Sequence, residues 1–245
     1  MSRGLAVGRR VLDQLRGDRR FLAVSIVAPL VVIFLLKTFW EAIDTALLDQ
    51  TRFAVPAAVF IVHFVTYVLT AIVLVRERVN GTMERMFVDG YSPGSIVAGY
   101  LGGYTGLATV QSLLILLEVN LLFEIDFDLA DNLQVFVVMW LMAMVSLALG
   151  TLVSNAARNE GQVFPFIPLV MIPPVFLSGL IVAVDRLPEW AQALARVVPL
   201  SYAVEVVNGI VAGGTMFDSL GALVMLPIFA VGILVLAART LRERA

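Results

Sequence analysis

Uncharged, mostly apolar runs recur along the chain at Phe21–Leu36, Phe53–Val75, Tyr91–Leu117, Leu133–Ala157, Gly161–Val184 and Ser219–Ala238. A helix needs roughly 17–25 such residues to cross about 30 Å of hydrocarbon. Five of the six runs reach that length. The first holds only 16 residues, but Lys37 can snorkel and Trp40 can sit at headgroup level, which extends it. Hydrocarbon offers no water to backbone amides and carbonyls, so each run must satisfy them internally as helix. The pattern predicts an all-α integral membrane protein with six membrane-spanning helices.

Three segments between or before these runs carry their own pattern. Residues 1–20 mix arginines with Leu5, Val11, Leu12 and Leu15, which is the apolar stripe of an amphipathic helix at the inner membrane surface. A disordered basic tail is the competing reading. Ser92 as N-cap and Pro93 at the first helical position start the third span. Val197–Phe217 is fairly apolar, but Pro199, Glu205 and Gly213-Gly214 interrupt it. We expect re-entrant helices on the outer side over residues 185–217, which broken backbone permits where protein covers it. Pro165, Pro168, Pro173 and Pro174 predict a kinked or broken fifth span. The expected organisation is an interface helix over 1–20 and one six-span domain over 21–245, with an inner loop at 76–93.

Composition supports this and charge orients it. The chain of 245 residues is 60% hydrophobic and 15% charged, against about 25% charged in soluble domains. Thirteen of the 17 basic residues fall in the N-terminal arm, the second and fourth loops and the tail; Lys37, Arg52, Arg186 and Arg196 fall on the other side. The positive-inside rule then puts both termini in the cytoplasm. Glu124, Asp126, Asp128 and Asp131 make the opposite face acidic, and the net charge of −2 does not favour nucleic acid. There is no cysteine, hence no disulfide framework or thiol-based metal site. The basic start followed by an apolar run, without a small-residue cleavage site, reads as a retained first span.

Several kinds of chemistry are excluded. A phosphate loop requires G-x-x-x-x-G-K-[ST], and the single lysine is Lys37 in Leu35-Leu36-Lys37-Thr38. The lone histidine, His63, cannot form paired-His metal sites, and the apolar second span supplies no triad partner. No catalytic residue, metal ligand or cofactor is expected in the chain.

The inner loop Arg76-Glu77-Arg78-Val79-Asn80-Gly81-Thr82-Met83-Glu84-Arg85-Met86 alternates charge and displays Met83, Met86 and Phe87 among those charges, as a helix docking into a partner's groove does. Further on come Pro174-Val175-Phe176-Leu177-Ser178-Gly179, then Leu187-Pro188-Glu189-Trp190, then Val198-Pro199-Leu200-Ser201-Tyr202. In this order, the sequence resembles the permease subunits of type-2 ABC exporters over roughly residues 20–240. Their second span typically ends in an E-R-x-x-G-T-x-E-x-L-like stretch. An apolar S-G, an L-P-x-W and a P-L-[ST]-Y follow span five. The chain departs from the family's T-P and G-K at span three, reading Ser92-Pro93 and Gly99-Tyr100.

The resemblance implies a dimer of six-span permeases, identical or homologous, bound to two cytoplasmic ABC ATPase subunits that hold the ATP and Mg. It implies ATPase coupling through Glu77, Arg78, Gly81, Thr82, Met83, Glu84, Arg85 and Met86. A second cytoplasmic contact falls at Asn155, Arg158 and Glu160. The substrate path falls along spans two and five, at His63, Thr66, Tyr67, Pro173, Pro174, Phe176 and Ser178, and an outer gate at Leu187, Pro188, Trp190 and Pro199. Buried polar residues such as His63 and Glu118 fit either a functional role or an interhelical hydrogen bond. The expected activity is export of a hydrophobic or amphipathic drug, lipid or glycolipid by alternating access. The expected setting is the plasma membrane of a prokaryote, since arginine so dominates lysine. Two other classes stand beside it. An ion-gradient-coupled transporter needs midplane carboxylates and repeat symmetry. A non-transport membrane scaffold needs only the docking surfaces.

Overall fold

A computed structural model describes residues 3–42 and 49–242; the side chains of Arg3, Leu5, Met83, Glu84, Phe87, Pro93, Val97, Leu241 and Arg242 lie outside that description. The described residues form helices α1 (Arg3–Gly17), α2 (Arg19–Ala42), α3 (Gln50–Val79), α4 (Thr82–Val88), α5 (Pro93–Phe123), α6 (Leu129–Ala156), α7 (Phe166–Leu177), α8 (Glu189–Ala195), α9 (Pro199–Val211) and α10 (Leu220–Arg242). Among the described residues, six segments are long and apolar enough to cross a membrane: α2, α3, α5, α6, α10, and Glu160–Leu177, which joins a 3-10 turn to α7; α8 and α9 pass the same test only together, as a bent pair. The protein is an all-α integral membrane protein.

Side-chain caps fix several starts. Asp49 Oδ1 accepts from Thr51 N at 2.9 Å at the head of α3. Ser92 Oγ accepts from Ser95 N at 3.2 Å at α5, and Asp128 Oδ1 from Asp131 N at 2.8 Å at α6. Each satisfies an amide that the first helical turn leaves free. Between α3 and α4 the chain reverses at Gly81, whose φ of +69° is a conformation that costs glycine little.

The interior is built on α3 and α6. Gly150 of α6 lies so close to α3 that a Cβ there would come within 2.8 Å of the Tyr67 carbonyl oxygen and of Thr70 Cβ. Val55, Val59, Val62, Met139, Met142 and Val145 fill the seam, all essentially buried. Helices α9 and α10 close against α6, whereas α2 and α7 turn exposed apolar faces outward, such as Val31, Phe34, Leu169 and Phe176. Apolar exterior is what a lipid-facing surface requires.

Three expectations change in detail. The first span is longer than its uncharged run: α2 starts at Arg19 and continues past Lys37 to Ala42. Trp40, expected at headgroup level, stacks on Phe53 at 5.2 Å and is 8% exposed, so it is a packing residue. The fifth helix ends at Leu177, short of Val184, where Ser178 is followed by Gly179 at φ +87°. Beyond it, α8 and α9 meet at 92°, because Pro199 opens α9 and restricts Val198 to extended backbone.

Helix α1 is amphipathic, but its apolar stripe faces protein. Val7, Val11 and Leu15 are buried against Ile96, Tyr100 and Tyr104 of α5, while Leu12 is 39% exposed. Two glycines make this approach possible. A Cβ on Gly99 would collide with Val7, and one on Gly103 would stand 2.5 Å from Val11 Cγ1.

Candidate functional site

The inner loop is an elbow: the last turn of α3, a two-residue turn at Asn80-Gly81, and α4. Its first three residues point in three directions. Arg76 makes a bidentate pair with Glu160, Nε to Oε1 at 2.9 Å and Nη2 to Oε2 at 3.0 Å. Glu77, 3% exposed, accepts from Gln14 Nε2 at 2.6 Å and from Tyr100 Oη at 2.8 Å, with Arg10 at 3.5 Å. Arg78 donates to the Ser154 carbonyl at 2.6 Å and to Asn155 Oδ1 at 2.9 Å.

Asn155 extends the arrangement. Its amide nitrogen donates to the Ala237 carbonyl at 2.7 Å and to Thr240 Oγ1 at 2.9 Å. Three consecutive residues at the end of α3 thus reach α1, α5, the end of α6 and the turn before α7, and through Asn155 reach α10. The bonds to Glu77 and Arg78 are buried or part-buried and costly to break, whereas the Arg76–Glu160 pair is exposed.

These contacts revise the roles expected of individual residues. Glu77, Arg78 and Asn155, expected at partner contacts, turn inward and bind the protein's own elements. Met86, expected to be displayed, is 7% exposed and packs with Val7, Ile96 and Tyr100. Met83 and Glu84 have side chains outside the described residues. Thr82 and Arg85 border a cavity of about 330 Å³ between α1 and α4, together with Arg10 and Asp89. Arg85, Arg158 and the turn Asn159–Gly161 remain at the surface, so the accessible part of this face is narrower than the motif.

The residues expected along the substrate path divide into two sets. His63, Thr66 and Tyr67 lie in the interior of α3. His63 Nδ1 is 2.7 Å from Ser146 Oγ, which is also 2.7 Å from the Met142 carbonyl. A hydroxyl has one proton; if it goes to Met142, the ring nitrogen is the donor. Thr66 Oγ1 donates to Gln111 Oε1 at 3.1 Å, and Gln111 Nε2 to the Ser25 carbonyl at 2.8 Å, which ties α3, α5 and α2 together. Tyr67 is buried in a cluster with Ala71, Val163 and Met171, and its hydroxyl has no hydrogen-bond partner among the described residues. Pro173 and Phe176 project outward from α7, whereas Pro174 and Ser178 are buried.

Among the gate residues, Trp190 is 67% exposed and Pro188 is exposed, while Leu187 and Pro199 are half-buried. Gln192 Nε2 donates to the Leu187 carbonyl at 2.8 Å. Glu118 is half-buried, and its Oε2 finds no partner among the described residues. Sequence reasoning missed Gln14, Tyr100 and Ser25. Gln14 was within reach, since it extends the stripe of Val7 and Val11 by one helical turn.

Comparison with known proteins gives this geometry a context. The family model described as ABC-2 type transporter matches residues 4–212. The chain is 27% identical over 163 residues to ABC transporter G family member 20 of Dictyostelium discoideum, covering 66% of this chain and 22% of that protein. It is 26% identical over 165 residues to the probable multidrug ABC transporter permease YbhR of Escherichia coli K12, covering 66% and 44%. It is 28% identical over 177 residues to the linearmycin resistance permease protein LnrN of Bacillus subtilis, covering 71% and 46%. The chain spans less than half the length of these relatives.

Proposed function

The chain belongs to the ABC-2 type transporter family, and from that premise we propose that it is the permease of an exporter. It moves a hydrophobic or amphipathic substrate, a drug, lipid or glycolipid, out of the cytoplasm by alternating access. A separate ATPase, present in two copies, supplies the energy, and a second six-span permease completes the path. The chain resides in the plasma membrane with both termini and the elbow in the cytoplasm. The similarity to proteins named multidrug and resistance permeases supports the substrate class.

The observation that carries this reading is the anchoring of Arg76, Glu77 and Arg78. A pump that burns nucleotide elsewhere needs a stiff part to receive its partner's motion. An elbow whose root is bonded to α1, α5, α6, the α7 turn and, through Asn155, α10 passes a push on α4 to most of the bundle. The surface-exposed Arg85, the neighbouring Glu84 and the turn bearing Arg158 form the docking face, and the inward residues transmit.

The test is ATP turnover by the permease reconstituted with its ATPase. Reversing both charges, Glu84→Arg with Arg85→Glu, lowers substrate-stimulated turnover severalfold and leaves the permease folded. Turnover equal to that of the unaltered complex overturns the docking assignment.

A further inference from the structure

At the end of the bundle opposite the elbow, the chain after α7 doubles back through a 3-10 turn (Val184–Arg186) into α8, then bends sharply into α9. These segments line an open cavity of about 420 Å³, within the range of about 300–1,000 Å³ usual for small-molecule sites. Asp185, Arg196 and Glu205 line it. None of these three side chains forms an ion pair or side-chain hydrogen bond among the described residues. All three are exposed, so charges of both signs border the open cavity with no ion-pair partner among the described residues.

The backbone beneath two of them is fixed. Gln192, also in the lining, donates through Nε2 to the Asp185 carbonyl at 3.2 Å. The Tyr202 hydroxyl donates to the Arg196 carbonyl at 2.8 Å, with its ring set against Phe229. Placement of this kind lowers the cost of ordering a site when a ligand arrives. The surroundings are apolar. Phe176 and Ile181, which bracket the lining residues Ser178 and Gly179 in sequence, are 60% and 56% exposed. Trp190, Leu194 and Val197, spaced as one helix face, are also exposed on α8 and just after it, and tryptophan favours the headgroup level.

A ligand that fits has a phosphate for the guanidinium, a cation for the carboxylates and an apolar body for the rim. We propose that this cavity holds the headgroup of a zwitterionic phospholipid from the leaflet opposite the elbow. Its phosphate lies against Arg196, its ammonium against Asp185 and Glu205, and its acyl chains run over Phe176 and Ile181. Ser178, expected along the substrate path, lines this cavity, and Phe176 of the same set precedes it by two residues, so the titration reads lipid affinity alone and does not depend on the transport reading.

The purified full chain in detergent is titrated with dihexanoyl phosphatidylethanolamine, dihexanoyl phosphatidylglycerol and acyl-free glycerophosphoethanolamine, with bound ligand read by native mass spectrometry. Phosphatidylethanolamine is expected to bind about tenfold more tightly than phosphatidylglycerol, the scale of one charge-assisted hydrogen bond, and at least about tenfold more tightly than glycerophosphoethanolamine, which lacks the acyl chains that bury apolar surface. Arg196→Gln lowers its affinity about tenfold. Asp185→Asn with Glu205→Gln removes the preference over phosphatidylglycerol while phosphatidylglycerol still binds, a swap that misfolding does not produce. The proposal is overturned if the unaltered chain binds both lipids equally, if Arg196→Gln changes nothing, or if the double variant keeps the preference. It is also overturned if glycerophosphoethanolamine binds as tightly as the lipid, which identifies a soluble zwitterion instead.

Discussion

Arg78 and Asn155 stand 77 positions apart in sequence, yet the guanidinium of one donates to the side-chain carbonyl of the other at 2.9 Å. The same asparagine holds the end of α10 through its amide nitrogen, so its two polar atoms serve two different elements. Asn155→Asp separates these roles. The carboxylate still accepts from Arg78 but cannot donate to Ala237 or Thr240. Hydrogen exchange should rise over residues 236–242 and stay level over residues 78–81. Asn155→Leu loses both and should destabilise the solubilised protein by about 1.5–3 kcal/mol, the range for hydrogen bonds to charged groups.

Glu77 predicts an order of effects rather than a single one. Its close donors are Gln14 and Tyr100; Arg10 is 3.5 Å away with a side chain 47% exposed. Tyr100→Phe leaves a buried carboxylate short of a donor and should cost about 1–3 kcal/mol. Arg10→Ala removes a solvated pair and should cost about 0–1 kcal/mol. Thermal unfolding in detergent checks the order, and Arg10→Ala costing more than Tyr100→Phe would contradict the geometry.

The seam between α1 and α5 depends on the absence of a side chain at Gly99, where a Cβ meets Val7. Gly99→Val should push α1 off α5, at a cost of about 1–3 kcal/mol for overpacking, or more if α1 detaches. Val7→Ala in the same chain should recover part of that loss, since it vacates the colliding volume. Limited proteolysis within residues 3–17 reads the detachment directly.

The six apolar runs carried most of the fold in the sequence, because hydrocarbon permits few alternatives to a helix. Boundaries were less legible where charged residues continue a helix. Lys37 ends an apolar run but not α2, since its ammonium lies 3.4 Å from Glu41 and 5.3 Å from the centre of the Phe123 ring. The elbow was legible as a motif, but not the direction of its side chains. Glu77 follows Val73 and Leu74 by one helical turn, and all three are buried. Its partners lie 63 and 23 positions away, and no local pattern states such pairings. The partners of His63 and Thr66 were hidden for the same reason: Ser146 and Gln111 belong to other helices.

The two ends of the bundle can be assigned to sides of the membrane with single cysteines, because the chain has none of its own. Arg85 on α4 and Glu189 at the start of α8 are both exposed. They sit at opposite ends of the fold, since span five starts beside the elbow at Glu160, the partner of Arg76, and ends at Leu177, before the turn into α8. With thirteen basic residues on the elbow's side against four, the positive-inside rule predicts a cytoplasmic elbow. A membrane-impermeant maleimide applied to intact cells should therefore label Glu189→Cys and spare Arg85→Cys until the cells are permeabilised. Labelling of Arg85→Cys in intact cells would invert the orientation and remove the elbow from the reach of a cytoplasmic ATPase.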